Sequence, residues 1–169
     1  MLFRSQRQRV VLARALAAEP KVLVADEPVS SLDMSTRAQI LGLLQALRRD
    51  MGLTVLLITH DLAVVNALAD RMGVMYLGHI FEVIPAAMGV AETMQPYTQM
   101  LVSSVPLPDP ELSRSRQRLL MSGEPPSPVH LPSGCYLHAR CPKALPQCSC
   151  VMPELRELNQ GHHVACHLF

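Results

Sequence analysis

Side chains able to do chemistry gather in three places along this chain. Asp26 and Glu27 stand side by side after the apolar run Val22-Leu23-Val24-Ala25. Thr59-His60-Asp61 follows a second run, Leu53 to Ile58. Five cysteines, Cys135, Cys141, Cys148, Cys150 and Cys166, fall in the last 35 residues. Neighbouring side chains on a strand point to opposite faces, so Asp26 and Glu27 cannot share one task. One can hold a divalent cation while the other faces an attacking water, which is the arrangement of a magnesium-dependent nucleotide hydrolase. The plain alternative is two solvated acids at a strand end, because short apolar runs ending in acids are common. A solitary His60 would read as a structural histidine; beside an acid pair it reads as a γ-phosphate sensor or an orienter of water.

The elements that must position these groups follow from apolar spacing and punctuation. Val22–Ala25 lies between Pro20 and Pro28 and is too short for a helix, so it is expected as a buried strand. Residues 6–18, rich in Ala, Arg and Leu, with Val10, Ala13 and Ala17 at three- and four-residue spacing, predict a helix that Pro20 stops. Asp33 or Ser35 can cap a second helix over about 34–49, with Ile40, Leu43, Leu44 and Leu47 inward and Gly52 ending it. The run from Leu53 is then a second buried strand, and strand–helix–strand makes a right-handed parallel unit. A short helix over 62–69 and a hairpin of 71–77 with 79–83 around Gly78 complete the regular part. Both polar clusters therefore fall at carboxyl ends of neighbouring strands, the edge at which open α/β sheets bind ligands.

Composition sets the remaining bounds. The 169 residues carry a formal charge of +1 and are 49% hydrophobic, enough for a core but with no basic footprint for nucleic acid. No apolar run reaches the roughly 18–20 residues needed to span a bilayer, and Met1 to Gln6 lacks a signal-peptide core. A cytosolic chain is expected, linked to a membrane only through partners. Seven of the 14 prolines lie between Pro106 and Pro132, so composition shifts in mid-chain. Glu124 to Pro128 is expected as a stiff extended spacer. Arg114, Arg116 and Arg118 read as a solvated basic run. The scattered methionines read as core filler.

Together the motifs resemble the ATP-binding subunit of an ABC transporter. Gln6-Arg7-Gln8-Arg9 looks like the end of the family signature, Val22–Glu27 like the Walker B strand, Ser30-Ser31-Leu32-Asp33 like the D-loop and Thr59-His60-Asp61 like the switch histidine. Met75-Tyr76-Leu77-Gly78, Pro96-Tyr97-Thr98 and the Pro-rich link to a terminal cysteine set are similar to the oligopeptide, dipeptide and nickel importer branch. The resemblance implies the C-terminal part of a P-loop-type α/β parallel sheet with flanking helices, plus a small irregular Cys-rich lobe. The implied domains are 1–84 for the partial ATPase, 85–132 for a helical and Pro-rich linker and 133–169 for the lobe.

The resemblance also implies roles. Asp26 would act on Mg2+ through water, Glu27 would polarise the attacking water, and His60 would contact the γ-phosphate of ATP. Asp33 would report across a dimer interface, and Ser5 and Gln6 would face the nucleotide of the opposite subunit. The implied partners are integral membrane permease subunits, a second ATP-binding subunit and, indirectly, an extracytoplasmic solute-binding protein, with no nucleic acid. The implied location is the inner face of the plasma membrane.

Three departures bear on that expectation. No G-x-x-x-x-G-K-[ST] loop occurs in the sequence, and that loop's backbone N–H groups and lysine hold phosphates. Phe3-Arg4-Ser5 stands where the family has Ser-Gly-Gly, and side chains there would block the close approach that glycine allows. The glutamine loop that couples to the membrane subunit is also missing. A truncated product or fragment, catalytically silent alone, is therefore expected, with an edge and apolar surface left uncovered.

The spacing Cys135-x5-Cys141-x6-Cys148-x17-Cys166 leaves Cys150 over and is not that of common zinc sites. In a reducing compartment such crowding favours metal ligation over disulfides. Soft thiolates could hold zinc or an iron–sulfur cluster, and the resemblance implies a [4Fe-4S] cluster on these four. Reduced cysteines packing a small lobe are the plain alternative. His138, His162, His163 and His167 are available as substitute ligands. Competing functions are a non-catalytic metal-binding or interaction module and an ABC-type ATPase of DNA repair. The importer-like tail and the lack of a basic stripe count against the last.

Overall fold

The computed structural model describes residues 4–106, 109 and 118–169, the side chains of Arg4 and Ser5 excepted. Phe3, Arg114, Arg116 and the Ser5 side chain, each singled out above, lie outside the described residues. The chain divides into two compact units, 1–69 and 70–169. The division falls ahead of the 71–85 hairpin, whereas the sequence placed a boundary at residue 84.

The first unit runs α1 (Arg4–Leu16), β1 (Val22–Asp26), α2 (Met34–Met51), β2 (Thr54–Ile58) and α3 (Leu62–Leu68). Strands β1 and β2 pair in parallel, with Val22 opposite Thr54 and Asp26 opposite Ile58. Helix α2 is delimited as its sequence dictates. The Asp33 carboxylate accepts from Thr36 N at 3.0 Å, and Gly52, at φ +62°, closes the last turn onto Arg48 O. The far end of α3 is tied to α2: Gln45 Nε2 donates to Ala67 O and Arg48 Nη1 to Leu68 O, both at 2.8 Å. Leu12, Leu23, Val29, Ile40, Leu44, Leu53 and Val64 form one core. The inward stripe of α1 is carried by Leu12 with Ala15 and Leu16 packed beside it, while Val10 is 56% exposed.

Neither strand is buried on both faces as its apolar run had implied. Leu23 and Ala25 of β1 point into the core. Val22, Val24, Leu56 and Ile58 form an outward apolar face and remain 47–59% exposed. Alternation by two puts every second residue on that face, whatever its hydrophobicity.

The second unit contains β3 (Arg71–Tyr76), β4 (His79–Pro85), α4 (Pro96–Ser104), β5 (Leu155–Asn159) and β6 (His162–Ala165). The first two strands form a hairpin through Leu77 (φ +46°) and Gly78 (φ +82°), the two left-handed residues that such a tight turn requires. The four strands make one antiparallel sheet in the order β3-β4-β6-β5. The tail expected to be irregular thus supplies half of a sheet. Tyr76, Phe81, Cys135, Leu137, Cys148 and Ala165 form its core, and the Tyr76 ring lies 4.8 Å from that of Tyr97.

The outward β1–β2 face predicts association. Replacing Val24 and Leu56 together by threonine should raise the monodisperse fraction in size-exclusion chromatography without lowering the melting temperature. An unchanged fraction would show that this face does not drive aggregation.

Candidate functional site

The first unit brings the acid pair and the histidine to one edge. The parallel register places Asp26 beside Ile58, so the residues that follow each strand emerge together. Glu27 N donates to Ile58 O at 2.9 Å, which extends the ladder one residue past β1. Glu27 Oε1 then lies 2.6 Å from His60 Nδ1 and also accepts from His60 N at 3.3 Å. The His60 side chain is 79% exposed and that of Glu27 37%, so the pair faces solvent. Asp26 is exposed on the outward face of β1.

Glu27 adopts φ +45° although it is not glycine and precedes Pro28. A residue before proline ordinarily stays extended. Left-handed backbone at such a residue costs on the order of 1–3 kcal/mol and gathers at functional positions. Ser30 Oγ donates to Glu27 O at 3.2 Å and helps to hold this turn. The sequence named Glu27 but carried no signal for its backbone. A pairing with Asp61 was also missed: Arg37 Nη1 donates to Asp61 Oδ2 at 2.5 Å. Asp33 spends its carboxylate on Thr36 N and Ser35 Oγ, and these bonds hold its pKa down at about 2, from 3.8. Gln6 is exposed on α1.

The second unit gathers the thiols. Gly134 sits at φ +63°, and a Cβ there would lie 2.4 Å from Cys148 O and 2.7 Å from the carbonyl carbon of Ser149. Only glycine fits this approach, which lets Cys135 N donate to Cys148 O at 2.8 Å. Burial pushes the Cys135 thiol up from 9.0 to about 11, and the neighbouring Cys148, Cys166 and Cys141 add to the shift. Burial likewise raises Cys141 and Cys166, each also feeling Cys148. Cys150 is exposed.

The four thiols are close enough to affect one another, yet they do not close around an ion. Among the described residues no group of three or more His, Cys, Asp or Glu is arranged to hold a metal. The expected [4Fe-4S] set at Cys135, Cys141, Cys148 and Cys166 is therefore not met by this arrangement. The histidines offered as substitutes have other partners. His138 donates to Cys135 O and His167 to Val151 O, both at 2.9 Å, and His163 donates to Gly161 O at 3.3 Å.

His162 makes a pairing that the sequence did not reveal. Its Nε2 lies 2.8 Å from Glu82 Oε1, with both residues 0% exposed. Met94 N donates to the same oxygen at 2.8 Å. The available signal was a carboxylate inside the apolar run Ile80-Phe81-Glu82-Val83-Ile84, because an acid is buried there only with a partner.

With this geometry in view, the chain can be set beside known proteins. The family profile "Oligopeptide/dipeptide transporter, C-terminal region" matches residues 82–148. YkfD of Bacillus subtilis (strain 168) is 51% identical over 97% of this chain and 50% of its own length. The chain is similar to one half of oligopeptide transport ATP-binding proteins. The oligopeptide transport ATP-binding protein AppF of B. subtilis is 46% identical over 97% of the chain and 50% of its own length. The oligopeptide transport ATP-binding protein OppF of Salmonella typhimurium (strain LT2) is 48% identical over 95% of the chain and 48% of its own length. The chain thus spans about half the length of the curated relatives it matches. Among solved structures, cbiO1 of Clostridium perfringens, part of the ABC transporter complex cbiONQ, aligns at TM-score 0.50 and 34% identity, over 54% of this chain and 36% of its own. An ABC transporter of metal-chelate type, inward-facing, aligns at TM-score 0.50 and 28% identity, over 57% of this chain and 37% of its own. Over about half of this chain the α/β fold is shared with these ABC transporter proteins.

Two outcomes test the thiol lobe. Gly134→Ala should expose Cys135 and Cys148 to alkylation at rates approaching that of Cys150, read by mass spectrometry; unchanged protection would mean the backbone yields without cost. The raised Cys135 thiol keeps a proton that the unfolded chain releases near pH 9.0, so its contribution is whole below that pH and is lost as pH rises through about 11. The denaturation midpoint of the reduced, metal-free chain should accordingly fall over that window. The fall should be smaller in Cys135→Ala, and an identical slope would remove Cys135 as a cause.

Proposed function

We propose that this chain carries the water-activating half of an ATP-hydrolysing subunit that energises peptide import. The observation behind this reading is the 2.6 Å contact between Glu27 Oε1 and His60 Nδ1 at the tips of two parallel strands. Phosphoryl transfer asks a protein mostly for positioning and charge stabilisation. Glu27 would take a proton from the attacking water as general base, with one carboxylate oxygen engaged by His60 and the other turned to the water. His60 would hold Glu27 in place and present its exposed imidazole to the γ-phosphate. Asp26, exposed at the end of β1, would hold magnesium through water. When bound, magnesium–ATP supplies the polarised phosphoryl group and the metal charge that offsets its developing negative charge.

The sequence holds no phosphate-cradling G-x-x-x-x-G-K-[ST] loop, so the grip on the β- and γ-phosphates must come from another polypeptide segment. The partners in this reading are membrane permease subunits, a second ATP-binding subunit whose nucleotide Gln6 would face, and indirectly an extracytoplasmic solute-binding protein. Asp33 would report to that second subunit from the first turn of α2. The location is peripheral, at the cytoplasmic face of a membrane. No helix among the described residues is long and apolar enough to cross one.

An iron–sulfur or zinc centre on Cys135, Cys141, Cys148 and Cys166 takes no part in this reaction. Iron, sulfide and zinc analysis of anaerobically purified protein decides on it: stoichiometric metal would require the thiols to rearrange, and its absence would leave them as packing.

The purified 169-residue chain should show no magnesium-dependent ATPase activity on its own. Residues 6–169, substituted for the corresponding part of the B. subtilis relative YkfD, should support hydrolysis. In that chimera Glu27→Gln should lower the rate by about 10²–10⁴-fold, the usual contribution of a general base. ATPase activity of the isolated chain, or full activity of the Glu27→Gln chimera, would overturn the reading.

A further inference from the structure

The placement of His60 rests on the residue that follows it. Asp61 uses both carboxylate oxygens. Oδ1 accepts from Ala63 N at 2.9 Å and starts α3, while Oδ2 accepts from Arg37 Nη1 on α2. The Asp61 main chain is equally committed. Its N–H donates to Thr59 Oγ1 at 3.1 Å, and its carbonyl accepts from Val64 N and Val65 N at 3.1 and 3.2 Å. His60 itself, by contrast, is solvent-facing, and its main-chain N–H and Nδ1 both meet Glu27 Oε1. A side chain that is 79% exposed has little packing to hold it, so its direction depends on the peptide that carries it.

The anchor on the other side is Arg37, one turn into α2. Arg37 N donates to Asp33 O at 2.8 Å, so the turn capped by Asp33 is the turn that presents the guanidinium. The ion pair is partly buried, with side-chain exposures of 30% and 29%, and Arg37 Nε is buried. A charge-assisted bond in that setting is shorter and stronger than a neutral one, and it fixes direction as well as distance.

We propose that Arg37 is a positioning residue: its bond to Asp61 fixes the peptide bearing His60 and so keeps the imidazole on Glu27. This rests on the reading of Glu27 and His60 as the reacting pair. It adds a residue from outside the strand tips and runs a continuous line of contacts from Asp33 through Arg37 and Asp61 to His60.

The test uses the 169-residue chain labelled at histidine, with the imidazole signals of His60 assigned by their loss in His60→Gln. The wild type should show a nuclear Overhauser contact between the His60 ring and the Glu27 side chain. Arg37→Met should abolish that contact and broaden the His60 ring signals, while the amide spectrum of β1, β2 and α2 stays in place. Arg37→Lys should restore part of it. Arg49→Met, which removes an exposed pair with Asp50, should change nothing at His60. If Arg37→Met fails to fold, Asp61→Asn keeps a side-chain oxygen to cap α3, removes the charge, and should give the same loss. A full contact in a folded Arg37→Met or Asp61→Asn chain would overturn the proposal. Loss of the contact in these variants, with a Glu27→Gln chimera that still hydrolyses ATP at full rate, would uphold Arg37 as the holder of His60 and refute only the catalytic reading of the pair.

Discussion

The contact between Glu27 and His60 depends on one constraint, the parallel pairing of β1 with β2. Parallel neighbours present the same ends to the same edge, so side chains 33 residues apart in sequence emerge side by side. The bond from Glu27 N to Ile58 O carries this pairing one residue past the strand, and the left-handed turn at Glu27 then swings its carboxylate onto His60. A slip of one residue in the register would send Glu27 to the other face and dissolve the pair. Helix α2 guards the register, because its length, set by Asp33 at one end and Gly52 at the other, fixes where β2 can begin.

Much of this was legible in the sequence because local signals agreed with one another. Two short apolar runs, each ending in polar residues and joined by a helix with a capping aspartate and a terminal glycine, admit few arrangements. Asp33 and Gly52 act where the pattern placed them. Other features depended on the third dimension. Val22, Val24, Leu56 and Ile58 were read as buried because hydrophobicity alone does not say whether a strand is covered on one face or two. Arg37 and Asp61 lie 24 residues apart and Glu82 and His162 lie 80 apart, and no period or motif links such positions.

The two units solve the problem of charge in different ways. In the first, Glu27, His60 and Asp26 stay at the surface, where water reduces the cost of charge and a substrate can reach them. In the second, Glu82 and His162 are withdrawn completely; the bond between them offsets part of the cost of removing polar atoms from water, while Glu82 Oε2 and His162 Nδ1 are buried with no hydrogen-bond partner among the described residues. That pair links β4 to β6. The thiols are organised by backbone more than by side chains, since the close approach at Gly134 sets Cys135 against Cys148 before any donor chemistry is considered.

The strand order β3-β4-β6-β5 has a consequence for synthesis on the ribosome. Strand β4 emerges with β3 already beside it, but its other neighbour, β6, is translated about 80 residues later, as the pairing of Glu82 with Val164 shows. For that interval β4 has one unfilled hydrogen-bonding edge and an unpaired Glu82. Long-range pairing of this kind is slow, and nascent chains with open edges are the ones that chaperones bind. Stop codons or frameshifts before residue 162 would therefore leave β4 permanently half-paired, and cellular proteases would be expected to clear such products rather than let them accumulate.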